Sequence, residues 1–184
     1  MKPIMFFLII MFVFFSGSCK KDSETKLFDK NLKVEEFIIL LKAGTYTSDN
    51  LPDFLPEDIP GLLNHGNDFT IIPYFPTNDI CSFSLFQYRL GECILWVIES
   101  IRLKYPYQSL YSRFPSCVPM LINNEFIDDA KKNPGTDPVK YRLKDTELKS
   151  AYDKYLEWWD KNNQNKFDEF KSTNPLDGLK IFWY

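Results

Sequence analysis

Histidine is nearly missing from this 184-residue chain, where His65 stands alone. Four cysteines are present, but none are spaced as Cys-x-x-Cys. A zinc centre needs a set of His and Cys ligands and a thioredoxin-like redox pair needs that short spacing, so no metal site and no cofactor are assigned. No serine lies in Gly-x-Ser-x-Gly, the turn that presents a hydrolase nucleophile. Lysine and arginine total 22 against 25 acids, and no basic patch breaks that balance, which disfavours nucleic acid as a partner. The longest apolar run, residues 4–15, holds twelve residues, short of the roughly 20 that a membrane-spanning helix needs. Segments that alternate apolar and polar residues over strand length are not evident either.

That apolar run is nevertheless the most informative feature present. It follows Met1-Lys2-Pro3 and leads into Ser16-Gly17-Ser18-Cys19. One charge, a short greasy core and small residues before a cut describe a secretory signal over residues 1–18. Residues 16–19 resemble the lipobox of bacterial lipoproteins, in which small residues precede an obligatory cysteine that becomes the lipidated first residue. Ser16 stands where that family usually places an aliphatic residue, with Phe14 and Phe15 supplying bulk just upstream. Ordinary cleavage after Ser16-x-Ser18 is the competing possibility. The resemblance implies lipidation at Cys19, a polar tether over 19–30 and attachment to a membrane through lipid. Each buried methylene contributes about 0.8 kcal/mol, so two or three chains anchor stably where one does not. The expected location is the bacterial cell envelope at the outer membrane, on its periplasmic or its surface face.

Removing residues 1–18 takes away one lysine and moves the net charge from −3 to −4. Beyond the tether, residues 31–184 are one domain's worth of chain, apolar enough to bury a core. Three cysteines stay in it, allowing at most one internal disulfide. Cys93 lies in an apolar stretch and reads as a small buried hydrophobe. Cys81 and Cys117, in Pro-flanked connecting segments, are the candidate disulfide in an oxidising compartment, with three reduced thiols as the alternative.

Helical periodicity organises the domain. Val34, Phe37, Ile38 and Leu41 form one stripe, and Gly44 follows where a chain leaves a helix with positive φ. Pro56-Glu57-Asp58 opens a second helix whose Ile59, Leu62 and Leu63 face the core. Residues 69–76, interrupted by two prolines, are extended. A central helix is expected over about 84–104, apolar nearly all round from Leu90 through Ile101, so that Arg89, Glu92, Glu99 and Arg102 must reach water or one another. Residues 120–132 predict another helix. Asp145 caps a long one to about residue 162, with Leu148, Ala151, Tyr152, Tyr155 and Trp159 on its apolar stripe. The hydrophobic end, residues 181–184, is expected to dock on the core. The sum is an all-α fold, a compact multi-helix domain with HEAT-like helix pairs as one arrangement of it.

Phe54-x-x-x-Asp58-Ile-Pro-Gly-Leu-Leu63 and Leu90-Gly-Glu-Cys-Ile-Leu-Trp-Val-Ile-Glu-Ser-Ile-Arg102, with the lipobox, resemble small uncharacterised lipoproteins of Bacteroidetes. The resemblance implies no activity, cofactor or catalytic residue.

Candidate chemistry is sparse. His65 near Asp68 could belong to a triad, but a cation at a helix end is already explained by the dipole. Glu92 and Glu99 share one face of the central helix, whereas a glycosidase needs two carboxylates facing across a cleft. Asp128 and Asp129 lie in an expected helix without a calcium loop. Tyr105, Tyr107, Tyr111 and Trp158 are the candidate interaction surface, Trp158 being one residue off the core stripe and so expected to be exposed. These observations favour a non-enzymatic, lipid-anchored protein-interaction module, an inhibitor or immunity-type role included. The alternatives are a glycan-binding protein and a glycan or cell-wall hydrolase.

Overall fold

The computed structural model describes residues 32–77, 85, 87–103 and 115–184. The signal, Cys19, the tether, Cys81, Tyr105, Tyr107 and Tyr111 lie outside the described residues.

The first helix, α1 (Val34–Ala43), buries Val34, Phe37, Ile38 and Leu41, the stripe expected of it. It stops at Gly44, φ 66°, whose N–H reaches back to Leu41 O at 3.1 Å. A Cβ on Gly44 would also stand 2.6 Å from Pro73 Cγ, so both conformation and space require glycine there. A 3-10 turn over Pro56–Asp58 leads into α2 (Ile59–Leu63), and the Asp58 carboxylate accepts the Leu55 N–H at 2.8 Å. Edge-to-face contacts of Phe37 with Tyr46, Phe54 and Phe75 fill the space beneath α1.

A short antiparallel ribbon follows, β1 (Ile71–Ile72) with β2 (Tyr88–Arg89). It delivers the chain into α3 (Leu90–Arg102), of which twelve of thirteen residues are buried. The amides of the first turn of α3 have no partner within the helix, and the carbonyls ahead of β1 supply them. Leu90 N–H donates to Thr70 O at 2.9 Å and Gly91 N–H to Asp68 O at 2.6 Å. That approach is close enough that a Cβ on Gly91 would meet Gly66 O at 2.5 Å.

The C-terminal half packs on the other side of α3. Strand β3 (Leu121–Asn123) pairs antiparallel with the last strand, β4 (Ile181–Trp183), in the register Ile122↔Phe182. Between them come α4 (Glu125–Lys132), a 3-10 turn over Pro138–Tyr141, the long α5 (Asp145–Asn162) and the one-turn α6 (Phe167–Phe170). Among the described residues no helix is long and apolar enough to cross a membrane.

The all-α expectation is therefore corrected. Six α-helices and two small antiparallel sheets make a mixed α/β domain among the described residues, and α3 packs against the strand β2 as well as α2 and α5, in place of an arrangement of HEAT-like helix pairs alone. Strands of two or three residues are too short to show the period of two that marks a strand in sequence. The expected helix over 120–132 opens as β3 and becomes helical only from Glu125, while the central helix begins at Leu90 because Tyr88 and Arg89 pair with β1. The C-terminus does dock, as a strand.

Candidate functional site

Two charged knots lie on one face of α3, seven residues apart. Glu92 has no exposed surface. Its Oε1 accepts the Leu121 N–H at 2.8 Å, and its Oε2 accepts from Arg89 Nε at 3.1 Å and from Arg142 Nη2 at 2.5 Å. The same guanidinium groups reach onward: Arg89 Nη1 to Leu143 O at 2.8 Å and to Asp145 Oδ1 at 3.1 Å, Arg142 Nη1 to Gln87 O at 2.9 Å. A carboxylate in the middle of an apolar helix is stable there because every lone pair that matters is met by a donor. The knot joins β2, β3 and the start of α5.

The second knot is built differently. Arg102 grips Glu99 with two bonds, Nε to Oε2 at 2.9 Å and Nη2 to Oε1 at 2.5 Å. The Tyr155 hydroxyl donates to Glu99 Oε2 at 2.8 Å and accepts from Trp183 Nε1 at 3.0 Å. Arg102 Nη1 caps Lys171 O at 2.7 Å. Burial and then the Glu99 charge push the Tyr155 phenol well above its ordinary range. Burial works against the charge on Arg102, and its bonds to Glu99 overcome that and raise its pKa. The two glutamates thus point to one side, as their spacing predicts, and each is consumed by donors of its own.

The remaining candidates are dispersed. His65 Nε2 meets Glu35 Oε1 at 3.0 Å, while Asp68 pairs with Lys42 at 2.7 Å, so the two do not form a dyad. Partial burial opposes ionisation of Asp68, but the bonds from Lys42 and Thr70 outweigh it and hold the carboxyl at about 2. Cys93 is a free, buried thiol whose pKa burial raises, with the Glu92 charge adding to the effect, so it is not poised as a nucleophile. Cys117 is disulfide-bonded, and Cys81, the partner expected for it, lies outside the described residues. Asp128 and Asp129 are both on α4, where Asp129 accepts from the Tyr141 hydroxyl at 2.5 Å. Among the described residues no three His, Cys, Asp or Glu side chains are grouped to hold a metal.

Trp158 requires a correction. The buried seam of α5 is Leu148, Ala151, Tyr155 and Trp158, spaced three, four and three, and Trp158 is only 5% exposed while Trp159 is half-buried. Adjacent tryptophans differ by 100° around a helix, and the expected stripe, which shares Leu148, Ala151 and Tyr155 with this seam, was extended to Tyr152 and Trp159 on the flank away from Trp158. Trp158 packs against Tyr155, Trp159, Phe167 and Phe170, and its indole N–H has no hydrogen-bond partner among the described residues.

Surface cavities are modest. One of about 390 Å³ lies between Ile181 and α5, another of about 390 Å³ lies between Trp158 and the 173–177 segment, and a third of about 290 Å³ surrounds Asp137. Exposed apolar side chains include Ile127 on α4 and Val139 on the adjoining 3-10 turn, both 40% exposed. On the same two elements Phe126 stacks edge-to-face on Tyr141, and it stacks likewise on Tyr184. Sequence reasoning anticipated the Glu99–Arg102 pair from its spacing but missed Arg142, Tyr155 and Trp183. Its one usable signal was the presence of two acids inside an apolar helix.

No curated protein and no solved structure matches this chain. Residues 29–184 match the model of a domain of unknown function, DUF4943, and the chain belongs to that family.

Proposed function

We propose that this protein is a non-enzymatic component of the bacterial cell envelope, tethered to the outer membrane by lipid on Cys19, whose domain docks another envelope protein. The tether is supported by the short apolar run ending at Ser16-Gly17-Ser18-Cys19. Docking is supported by one observation, the exposed apolar side chains Ile127 and Val139, carried on two elements that contact each other through Phe126 and Tyr141. An inhibitor or immunity-type role falls within this class.

The test is a crosslinking pull-down of the lipidated protein from its native envelope, with Cys19→Ala as the unlipidated control. A stoichiometric protein partner that is lost with the anchor is the expected result. Membrane attachment through Cys19 with no protein partner overturns the docking assignment. A second reading, glycan binding or glycan hydrolysis, has the cavity beside Trp158 in its favour, because Glu157, Asn162 and Asp177 line it too. Quenching of tryptophan fluorescence by envelope oligosaccharides, in the absence of a protein partner, would favour that second reading.

A further inference from the structure

The parity of the β3–β4 ladder determines which backbone groups face outward. Tyr184 N–H donates to Met120 O at 3.0 Å and Asn124 N–H to Lys180 O at 2.9 Å. Bonded and non-bonded pairs alternate along an antiparallel ladder. With the register Ile122↔Phe182, the groups of Phe182 turn toward β3 and those of Ile181 and Trp183 turn away from it. On β3 the same parity turns Leu121 outward, and there both of its groups are met: its N–H by Glu92 Oε1 at 2.8 Å, its carbonyl by Leu143 N–H at 3.0 Å. This edge of the sheet is closed at Leu121 in this way. On the other, the backbone groups of Ile181 and Trp183 find no partner among the described residues.

Edge strands are normally blunted by lysine, proline or a bulge, yet residues 181–184 are Ile-Phe-Trp-Tyr with no charge and no proline. Two outward amide and carbonyl pairs complement one chemistry, an extended polypeptide backbone. The neighbouring cavity of about 390 Å³ adds a preference, because Ile181 and Asn123 line it together with Glu125, Glu147, Ser150 and Lys180. Two carboxylates against one ammonium leave it acidic, and among the described residues Glu147 is engaged only by the Lys144 N–H at 2.9 Å. Alternate residues of an added strand project to the face that this cavity occupies.

We propose that β4 accepts an extended segment of a partner protein as an added strand, with a lysine or arginine of that segment entering the cavity beside Glu125 and Glu147. The proposal rests on the docking function above and names the chemistry of the partner.

The experiment is amide hydrogen exchange on the full lipidated protein in detergent micelles. The probe is a synthetic eight-residue peptide of alternating valine and threonine with a central lysine. One companion peptide carries glutamate in its place, and another is N-methylated on its bonding edge. Exchange at the amides of Ile181 and Trp183 is expected to slow at least tenfold with the lysine peptide, roughly the effect of closing a ladder bond, and not with either companion. The double variant Glu125→Gln, Glu147→Gln, which keeps the hydrogen-bond capacity of both sites, should weaken the lysine peptide by about tenfold. Unchanged exchange with the lysine peptide at saturating concentration overturns the proposal. So does slowing that needs no peptide and grows with protein concentration, which would give the edge to a second copy of the chain. In the pull-down, a partner crosslinked at α4 and never at β4 removes this inference and leaves the docking function standing. Finding no partner removes the docking function itself, whatever the peptides do.

Discussion

Glu92 and Glu99 occupy equivalent positions on the same face of the same helix, and both are sealed from water, yet their surroundings differ in kind. Glu92 is held by two guanidinium groups that themselves clamp backbone carbonyls at residues 87 and 143, so the knot ties main chain to main chain. Glu99 has one arginine, which also caps the Lys171 carbonyl, and then a relay of side chains, Tyr155 to Trp183, which helps attach the last strand to the core. The first arrangement fixes where β2, β3 and α5 begin. The second decides whether the C-terminal strand stays in place. The lesson is that a buried carboxylate is not evidence of catalysis until its donors have been counted.

Breaking the first knot should have the largest effect. Glu92→Ala leaves the buried Arg89 with Asp145 alone and the half-buried Arg142 without its counter-charge, and breaking a buried ion pair costs about 3–5 kcal/mol, measurable as a lowered denaturation midpoint. Next comes Tyr155→Phe, which removes the hydroxyl between Glu99 and Trp183 at an expected cost of about 1–3 kcal/mol. Its signature is local: exchange in β4 should accelerate more than exchange in α3, whereas a uniform acceleration would show that the two knots do not differ as described.

The smallest effect belongs to the surface pair of Lys42 and Asp68, which sharpens the contrast between paired charges inside and outside the core. Asp68 titrates at about 2 in the folded protein, below its ordinary 3.8. Its contribution is therefore fully present above about pH 4 and is lost as pH falls through 2. Since Lys42 is 43% exposed, solvent screening limits the pair to about 0.5–1 kcal/mol. Asp68→Asn should remove that amount at neutral pH and flatten the acid limb of the stability profile between pH 4 and 2.

The N-terminal half of the fold was legible in the sequence and the C-terminal half much less so, for reasons visible in single residues. The stripe of α1 and Gly44 carry their own periodicity and stop signal, and α3 is continuous enough to announce a central helix. Leu121 and Ile122 look like the opening of α4, because two apolar residues have no period. Residues 181–184 advertised burial, but the partner strand is some sixty residues upstream, and nothing local encodes that pairing. Arg142 is fifty residues from Glu92 for the same reason, and only a fold can bring them to 2.5 Å. On α5 the stripe was right at Leu148, Ala151 and Tyr155 and took Trp159 for Trp158 at its end.

The acids of α3 serve the fold, and the outer surface is proposed to serve a partner. The deciding measurement compares the native-envelope pull-down of the wild-type protein with that of Ile127→Asp, Val139→Asp, alongside thermal melts of both. The double variant is expected to melt within a few degrees of wild type and to lose its protein partner. A variant that melts normally and keeps the partner in full would contradict that proposal.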